Sequence, residues 1–273
     1  MVRTRVSSLA VVAAVVAVTL LAVAAQLAAA RPSPSSAPSA PGSGPVLLEL
    51  FTSQGCSSCP PADELLSRLA ADPELGGRVV PLAFHVDYWN RLGWRDPFSD
   101  ARWSERQRRY ARALDADSVY TPMLVVDGRR HLVGSREREV RAAVREALAA
   151  PRAAVLELSL GEAIDGRFPA TVEARFPERS RPRRVEVWVA LWQNGLVTPV
   201  RRGENAERTL RNDRVVRRLV RAAAWSAEDR PPFRARAILE LDPAWPRDEL
   251  GVAAFLADPV SSEVLAAADR SLP

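Results

Sequence analysis

The sequence of 273 residues contains only two cysteines, two histidines and two methionines, and its 38 basic residues are all arginines. Two cysteines cannot build a disulfide framework, which needs several pairs that lie far apart in the chain. So few histidines and methionines argue against a metal-handling protein. The arginines are interspersed with 33 acidic residues, and the formal net charge is only +5. Because no basic stripe interleaves with aromatic residues, we expect no nucleic-acid partner.

The start of the chain has the composition of a targeting segment. Arg3 and Arg5 precede an apolar run over residues 9–25, and small residues that suit a cleavage site follow it. We therefore predict a signal peptide over residues 1–30. An uncleaved run of this length would instead serve as an N-terminal membrane anchor. Either outcome predicts an exported protein, periplasmic or secreted, in a compartment where disulfides persist.

The ordered part of the chain is expected to begin with a βαβ unit. Residues 31–45 are rich in Pro, Ser and Gly and predict a solvated linker. An apolar strand then starts at Val46 and ends shortly before Cys56. A helix opened by Pro60 and a second apolar strand over residues 79–86 follow it, which gives the order strand, helix, strand.

The next segment predicts an insertion and then a second set of elements. Residues 87–118 combine aromatic loops with a charged helix. A short strand, a hairpin turn at Asp127-Gly128, a return strand and an amphipathic helix come after it. The predicted fold class is α/β, with one domain over residues 46–150.

Beyond Pro151 the hydrophobic pattern changes to a period of two. Short strands without intervening helices are typical of a small antiparallel sandwich, and Asn194-Gly195 is a strong hairpin turn. We therefore predict a second, β-sandwich-like domain over residues 151–273. Its predicted strands cover residues 155–160, 170–176, 185–193, 235–241 and 252–257.

The two cysteines, Cys56 and Cys59, lie three residues apart between a predicted strand and a predicted helix. A disulfide across so short a loop removes little entropy from the unfolded chain, so it is a poor structural staple. Two thiols at a helix N-terminus instead form a redox pair, because the helix dipole stabilises the first thiolate. We interpret Cys56 as a partly exposed nucleophile and Cys59 as the resolving thiol, with no cofactor or metal.

Further candidate residues carry weaker signals. Glu49 interrupts the apolar strand before Cys56, where it would either relay the proton of Cys59 or form a salt bridge. His85 and Asp87 are two residues apart and are predicted to lie on one face, where they would tune the thiolate or bind substrate. The sequence is equally compatible with His85 as a core histidine and Asp87 as a loop cap. The aromatic residues of the insertion form either a partner-docking surface or a small satellite core: Tyr88, Trp89, Trp94, Phe98 and Trp103. Of these, Trp89 is our candidate for substrate binding.

The run ELFTSQGCSSCPPAD at residues 49–63 resembles the signature of an exported thioredoxin-like family catalogued as domain of unknown function 1223. Similar runs are HVDYW at 85–89, WRDPF at 94–98, YTP at 120–122, and RGEN at 202–205 with Thr209-Leu210. The resemblance implies a thioredoxin-like fold and a secreted or periplasmic location, and it implies no substrate. The chain departs from thioredoxin in having Gly55 before the first cysteine and a long insertion before Pro122.

Thr121-Pro122 directly precedes a predicted strand. A proline at this place is commonly a trans residue of an edge strand. In thioredoxin-like folds the corresponding proline is cis and faces the CxxC, and a cis X-Pro bond costs only about 0.5–1 kcal/mol. We therefore predict a cis bond, which leaves the backbone of Thr121 able to pair with an extended substrate chain.

The leading functional hypothesis is an exported thiol–disulfide oxidoreductase that acts on an envelope protein. With two cysteines the chain has no internal recycling pair, so the hypothesis implies an external redox partner. One alternative is a non-catalytic binding module on the same scaffold. The other is a copper carrier that uses Cys56, Cys59 and His85.

Overall fold

The structure is a computed structural model that describes residues 44–75, 77–177 and 182–272. The predicted signal peptide, the alternative membrane anchor and nearly all of the predicted linker lie outside these residues. Within the described part of the chain, no helix is both long and apolar enough to cross a membrane.

The first half of the described chain alternates strands and helices. The elements are β1 (Val46–Thr52), α1 (Pro60–Ala71), β2 (Val79–His85), α2 (Ala101–Ala113), β3 (Met123–Val126), β4 (Arg130–Val133) and α3 (Glu137–Ala149). A short 3₁₀ turn covers Asn90–Leu92 in the insertion. Strands β1 and β2 pair in parallel, and β3 pairs with β1 in the antiparallel sense, which gives the strand order β2-β1-β3-β4.

The two faces of β1 pack against different helices. Because successive strand residues point to opposite faces, Leu48 and Leu50 share a core with α1 and α3. Leu47 and Phe51 share the opposite core with α2. Helix α1 begins at Pro60, a favourable first helical residue since its missing N–H would have no partner there.

The second half of the described chain extends the same sheet. The elements are β5 (Val155–Leu160), β6 (Arg167–Arg175), β7 (Arg184–Gln193), β8 (Leu196–Pro199), β9 (Thr209–Asn212), β10 (Val215–Ser226), β11 (Phe233–Glu240), β12 (Leu250–Ala257) and β13 (Val264–Ser271). Strand β10 lies parallel to β2, with Val215 opposite Ala83. Eight of the described strands thus form one mixed sheet in the order β13-β12-β7-β10-β2-β1-β3-β4.

A smaller sheet with the order β11-β6-β5 packs on one face of β7 and β12. The shared core includes Phe168 and Val172 from the small sheet and Val187 and Leu256 from the large one. Alternation of buried and exposed residues along β11 fits this one-sided contact. Strands β8 and β9 form a separate hairpin.

The fold is therefore a mixed α/β fold with a large mixed sheet and few helices. This confirms the predicted α/β class. The predicted β-sandwich-like domain is not confirmed, because strands from both sides of residue 150 share the large sheet. The division of the chain at that residue stays a prediction.

Strand β10 was missing from the sequence prediction although it joins the two halves of the sheet. Its register against β7 shifts between Val216 and Arg218 and again between Arg221 and Ala223. Each irregularity adds a residue and breaks the alternation of polar and apolar side chains on which strand prediction depends.

Candidate functional site

Cys56 and Cys59 form a disulfide immediately before α1, with their Cα atoms 5.5 Å apart. The chain leaves β1 at Thr52 and turns back toward the helix, and Cys59 N donates a hydrogen bond to the Cys56 carbonyl at 3.2 Å. Both cysteines are 0 % exposed, whereas Ser57 and Ser58 between them are exposed. The prediction of a partly exposed Cys56 is therefore wrong for the disulfide form.

The segment before β3 lies opposite the disulfide. The Thr121–Pro122 peptide bond is cis, as predicted. The Thr121 carbonyl oxygen lies 4.0 Å from Cys56 Sγ, and Trp89 Nε1 donates a hydrogen bond to Thr121 Oγ1 at 2.8 Å. The hydroxyl of Ser58 is 3.3 Å from Cys56 Sγ. The structure thus brings five of the sequence candidates together: Cys56, Cys59, Trp89, Thr121 and Pro122.

A loop between β8 and β9 covers the cysteine motif from the second half of the chain. Glu204 Oε2 accepts hydrogen bonds from Ser57 N at 2.9 Å and Ser57 Oγ at 2.7 Å. The buried amide of Asn205 donates to the carbonyl oxygens of Gln54 and Cys56, at 3.0 and 2.9 Å. In the sequence, these loop residues contributed only to the resemblance to the family, and no role was predicted for them.

The side chain of Gln54 ties the turn before Cys56 to two other segments. Its Oε1 accepts a hydrogen bond from Trp94 Nε1 at 3.2 Å. Its Nε2 donates to Thr198 Oγ1 at 3.1 Å and to Asn212 Oδ1 at 2.9 Å. The insertion and the β8–β9 hairpin therefore fix the position of the cysteine turn.

Glu49 does not lie where a proton relay to Cys59 needs it. Its Oε1 accepts a hydrogen bond from Arg106 Nε at 2.6 Å, and Tyr110 donates its hydroxyl to Oε2. Both partners are on α2, so Glu49 points to the face of the sheet away from α1. Glu49 is therefore a salt-bridge partner, as the alternative prediction stated, and its pair with Arg106 is buried.

His85 and Asp87 point to opposite faces, contrary to the prediction. The buried His85 ring pairs through Nδ1 with Asp96 Oδ2 at 2.7 Å and faces the α1 side with Phe98. Asp87 accepts a hydrogen bond from the hydroxyl of Ser104 on α2 at 2.5 Å. His85 is thus a core histidine with a carboxylate partner, and Asp87 links the end of β2 to α2.

Electrostatics single out a carboxyl group that sequence reasoning missed, Asp63 of α1. Burial raises its pKa from 3.8 to about 7, and the neighbouring His85 and Thr52 only partly oppose this effect. An acid in the first turn of a helix is ordinarily an exposed partner of the helix dipole, so the sequence carries no signal for its burial.

The described residues contain no group of three or more His, Cys, Asp or Glu side chains that could hold a metal ion. In particular, Cys56, Cys59 and His85 do not form such a group. The Nδ1 atom of His85 is instead occupied by its contact with Asp96.

Comparison with known proteins identifies one matching protein family and two similar solved structures. The model of the family described as "Protein of unknown function (DUF1223)" matches residues 47–257. A crystal structure of an Agrobacterium tumefaciens protein from a structural genomics consortium is 27% identical, with a TM-score of 0.60 over 83% of this chain and 94% of that chain. HBP35 of Porphyromonas gingivalis is 15% identical, with a TM-score of 0.64 over 85% of this chain and 76% of that one, which is a likeness of fold alone. No curated protein matches the sequence.

Proposed function

This chain belongs to the DUF1223 family of proteins of unknown function, and from its site we propose that it is an exported thiol–disulfide oxidoreductase. The observation that carries the proposal is the Cys56–Cys59 disulfide at the start of α1, with the Thr121 carbonyl oxygen 4.0 Å from Cys56 Sγ. The proposed substrate is an envelope protein with a thiol or disulfide, and an external partner resets the couple.

The arrangement of elements around the disulfide supports a thioredoxin-like assignment for the first half of the chain. The strand order β2-β1-β3-β4 combines a parallel pair with an antiparallel hairpin, and α1 connects the parallel pair. In such a unit the cysteines occupy a helix N-terminus, where backbone N–H groups and the helix dipole stabilise a thiolate.

The exchange follows from thiolate chemistry and is balanced in atoms and electrons. A substrate thiolate attacks Cys56 Sγ, which forms a mixed disulfide and breaks the Cys56–Cys59 bond. Cys59 leaves as a thiolate and takes up a proton. A second substrate thiolate then attacks the substrate sulfur of the mixed disulfide and releases Cys56. The substrate is oxidised to a disulfide, and the protein gains two electrons and becomes a dithiol; the reverse sequence reduces a substrate disulfide.

The Thr121 backbone would hold an extended substrate chain beside Cys56, because an unpaired backbone segment can accept an added strand. Export is supported by the basic and apolar start of the sequence. It is also supported by the disulfide itself, since such bonds persist in oxidising compartments.

The decisive experiment is trapping of the mixed disulfide with a defined peptide that contains one internal disulfide. The reduced form of a Cys59→Ala variant, in which Cys56 is the remaining thiol, is expected to form a stable covalent adduct with the peptide through Cys56. A Cys56→Ala variant is the matched control. It keeps the Cys59 thiol and is expected to form the adduct much more slowly than the Cys59→Ala variant does. If Cys56 forms no adduct and alkylates like an ordinary free thiol, the oxidoreductase function is excluded.

The complete burial of Cys56 favours a second candidate, a non-catalytic binding module with a silent disulfide. This candidate predicts that a Cys56→Ser variant keeps its full biological activity in cells that lack the wild-type protein. The oxidoreductase predicts that the same variant loses it.

A further inference from the structure

Three buried polar atoms converge on the face of the sheet that carries α1. Oγ1 of Thr52, Oδ1 of Asp63 and Nε2 of His85 make no hydrogen bond of good geometry with the described residues, although the Thr52 hydroxyl is near enough to Asp63 to lower its pKa. Thr52 and His85 are register partners at the ends of β1 and β2, and Asp63 lies on the helix above them. A poorly satisfied buried polar group costs about 1–3 kcal/mol, so a cluster of such groups points to a function rather than to stability.

Asp63 is one helical turn from the resolving thiol. Its backbone N–H donates to the Cys59 carbonyl at 3.1 Å, and residues four apart on a helix have Cβ atoms about 5–6 Å apart. Because the Cα–Cβ bonds of helical residues tilt toward the N-terminus, side chains four residues apart lie one above the other, which places Cys59 and Asp63 on the same face of the helix. Glu49 lies on the other face, held by Arg106.

We propose that Asp63 accepts the proton that Cys59 loses when it attacks a mixed disulfide at Cys56. The proposal rests on the oxidoreductase function proposed above and names the residue that completes it. His85 and Asp96 act on Asp63 through their charges.

The charges around Asp63 suit a group that must exchange a proton at neutral pH. Burial raises the pKa of Asp63 to about 7, with Asp96 and Glu64 adding to the rise and His85 opposing it. Burial alone would lower the pKa of His85, but Asp96 and Asp63 outweigh it and the pKa is raised, while Arg217 acts in the lowering direction. His85 and Asp63 therefore shift each other's pKa, and Asp63 is able to hold or release its proton near neutral pH.

The step that Asp63 assists is the release of a substrate from its mixed disulfide with Cys56. The Cys59 thiol gives its proton to the Asp63 carboxylate and its sulfur attacks Cys56 Sγ. The Cys56–Cys59 bond forms, the bond between Cys56 and the substrate sulfur breaks, and the substrate leaves as a thiolate. The protein dithiol is oxidised and the substrate is reduced.

An aryl disulfide that releases a coloured thiolate separates the two attacks. The reduced protein is mixed with the reagent at acid pH, where the Cys56 mixed disulfide accumulates, and is then moved by stopped flow to a series of higher pH values. The second coloured release reports the attack by Cys59. In the wild type its rate is expected to rise with pH through an inflection near 7, the pKa of Asp63.

The Asp63→Asn variant keeps the shape of the protonated side chain and cannot accept the proton. The second release is expected to slow about 100-fold at neutral pH, with its inflection moved to the ordinary thiol range above about 8.5. The first release, by Cys56, stays unchanged. Glu74→Gln, which changes an exposed acid just beyond the end of the same helix, is the matched control and leaves both releases unchanged. A second release with the wild-type rate and inflection in Asp63→Asn would overturn the assignment of Asp63 alone.

A reduced protein that forms no mixed disulfide at Cys56 would instead overturn the oxidoreductase function and this proposal with it. A second measurement needs no variant. Carbon-detected NMR of the Asp63 carboxyl is expected to show a different titration midpoint in the dithiol and disulfide forms, because neighbouring proton sites titrate together. Equal midpoints in the two forms would also contradict the proposal.

Discussion

The Glu204 carboxylate binds both the backbone N–H and the hydroxyl of Ser57, the residue that directly follows Cys56. These hydrogen bonds hold the pKa of Glu204 below its ordinary value, so the side chain is anionic at neutral pH. A negative charge beside Cys56 opposes the formation of a thiolate there, because like charges disfavour ionisation. The same contact holds the loop between β8 and β9 over the cysteine motif.

Replacing Glu204 is therefore expected to make Cys56 more reactive. In the Cys59→Ala background, Glu204→Gln should raise the rate of Cys56 alkylation by iodoacetamide at neutral pH about threefold, the scale of an exposed charge interaction. The pH midpoint of the reaction should fall with it. Glu207→Gln removes a charge from the same loop and serves as the control. An unchanged or slower reaction of Glu204→Gln would mean that Glu204 anchors the loop without influencing the thiolate.

The buried pair of Glu49 and Arg106 is expected to support the fold rather than the chemistry. Both side chains are almost fully buried, and Tyr110 completes the hydrogen bonding of Glu49. Removing one partner leaves an uncompensated charge, so Arg106→Met should lower the free energy of unfolding by about 3–5 kcal/mol. Urea denaturation of the disulfide form measures the change.

Two further variants sharpen this prediction. Adding Glu49→Gln to Arg106→Met removes the second charge and should recover part of the loss. Arg108→Met, an exposed change on the same helix, should stay within about 0.5 kcal/mol of the wild type. Equal losses for Arg106→Met and Arg108→Met would contradict a stabilising role for the buried pair.

The order of elements in the first half of the chain followed from local patterns in the sequence. Residues 46–51 are apolar apart from Glu49 because β1 is buried on both faces, and Pro60 marks the start of α1. The cis bond before Pro122 was predicted from the elements that follow it. Each of these signals acts over a few residues, which a single sequence displays.

The features that were missed depend on contacts between distant residues. Glu204 and Asn205 contact the cysteine motif although almost 150 residues separate them from it in the chain. No local sequence pattern indicates that contact. Asp63 is buried by strands that lie before and after it in the chain, whereas its own helix would leave it exposed. The sequence left open whether Glu49 relays a proton or forms a salt bridge, because a carboxylate in an apolar strand does not reveal which face carries its cation.

The burial of Asp63 predicts an unusual dependence of stability on pH. Its pKa is about 7 in the folded protein against 3.8 for an unperturbed carboxyl, so the folded state binds the proton more tightly than the unfolded state. The free energy of unfolding should therefore fall as the pH rises from about 4 to about 7, by up to about 4 kcal/mol. The raised pKa of His85 acts in the same direction above its ordinary value of 6.5. The lowered pKa of Asp96 acts oppositely, but only below 3.8.

Urea denaturation at a series of pH values isolates the part that belongs to Asp63. Asp63→Asn cannot ionise, so its stability should match that of the wild type near the acid end of the range and exceed it above pH 7. Glu74→Gln, an exposed acid beyond the end of α1, should follow the wild-type curve throughout. Because Asp63 and His85 shift each other's pKa, the difference between the curves of Asp63→Asn and the wild type reports Asp63 together with its interaction with His85. Parallel curves for Asp63→Asn and the wild type would show that Asp63 keeps an ordinary pKa, which would remove the neutral-pH proton exchange that its place beside Cys59 requires.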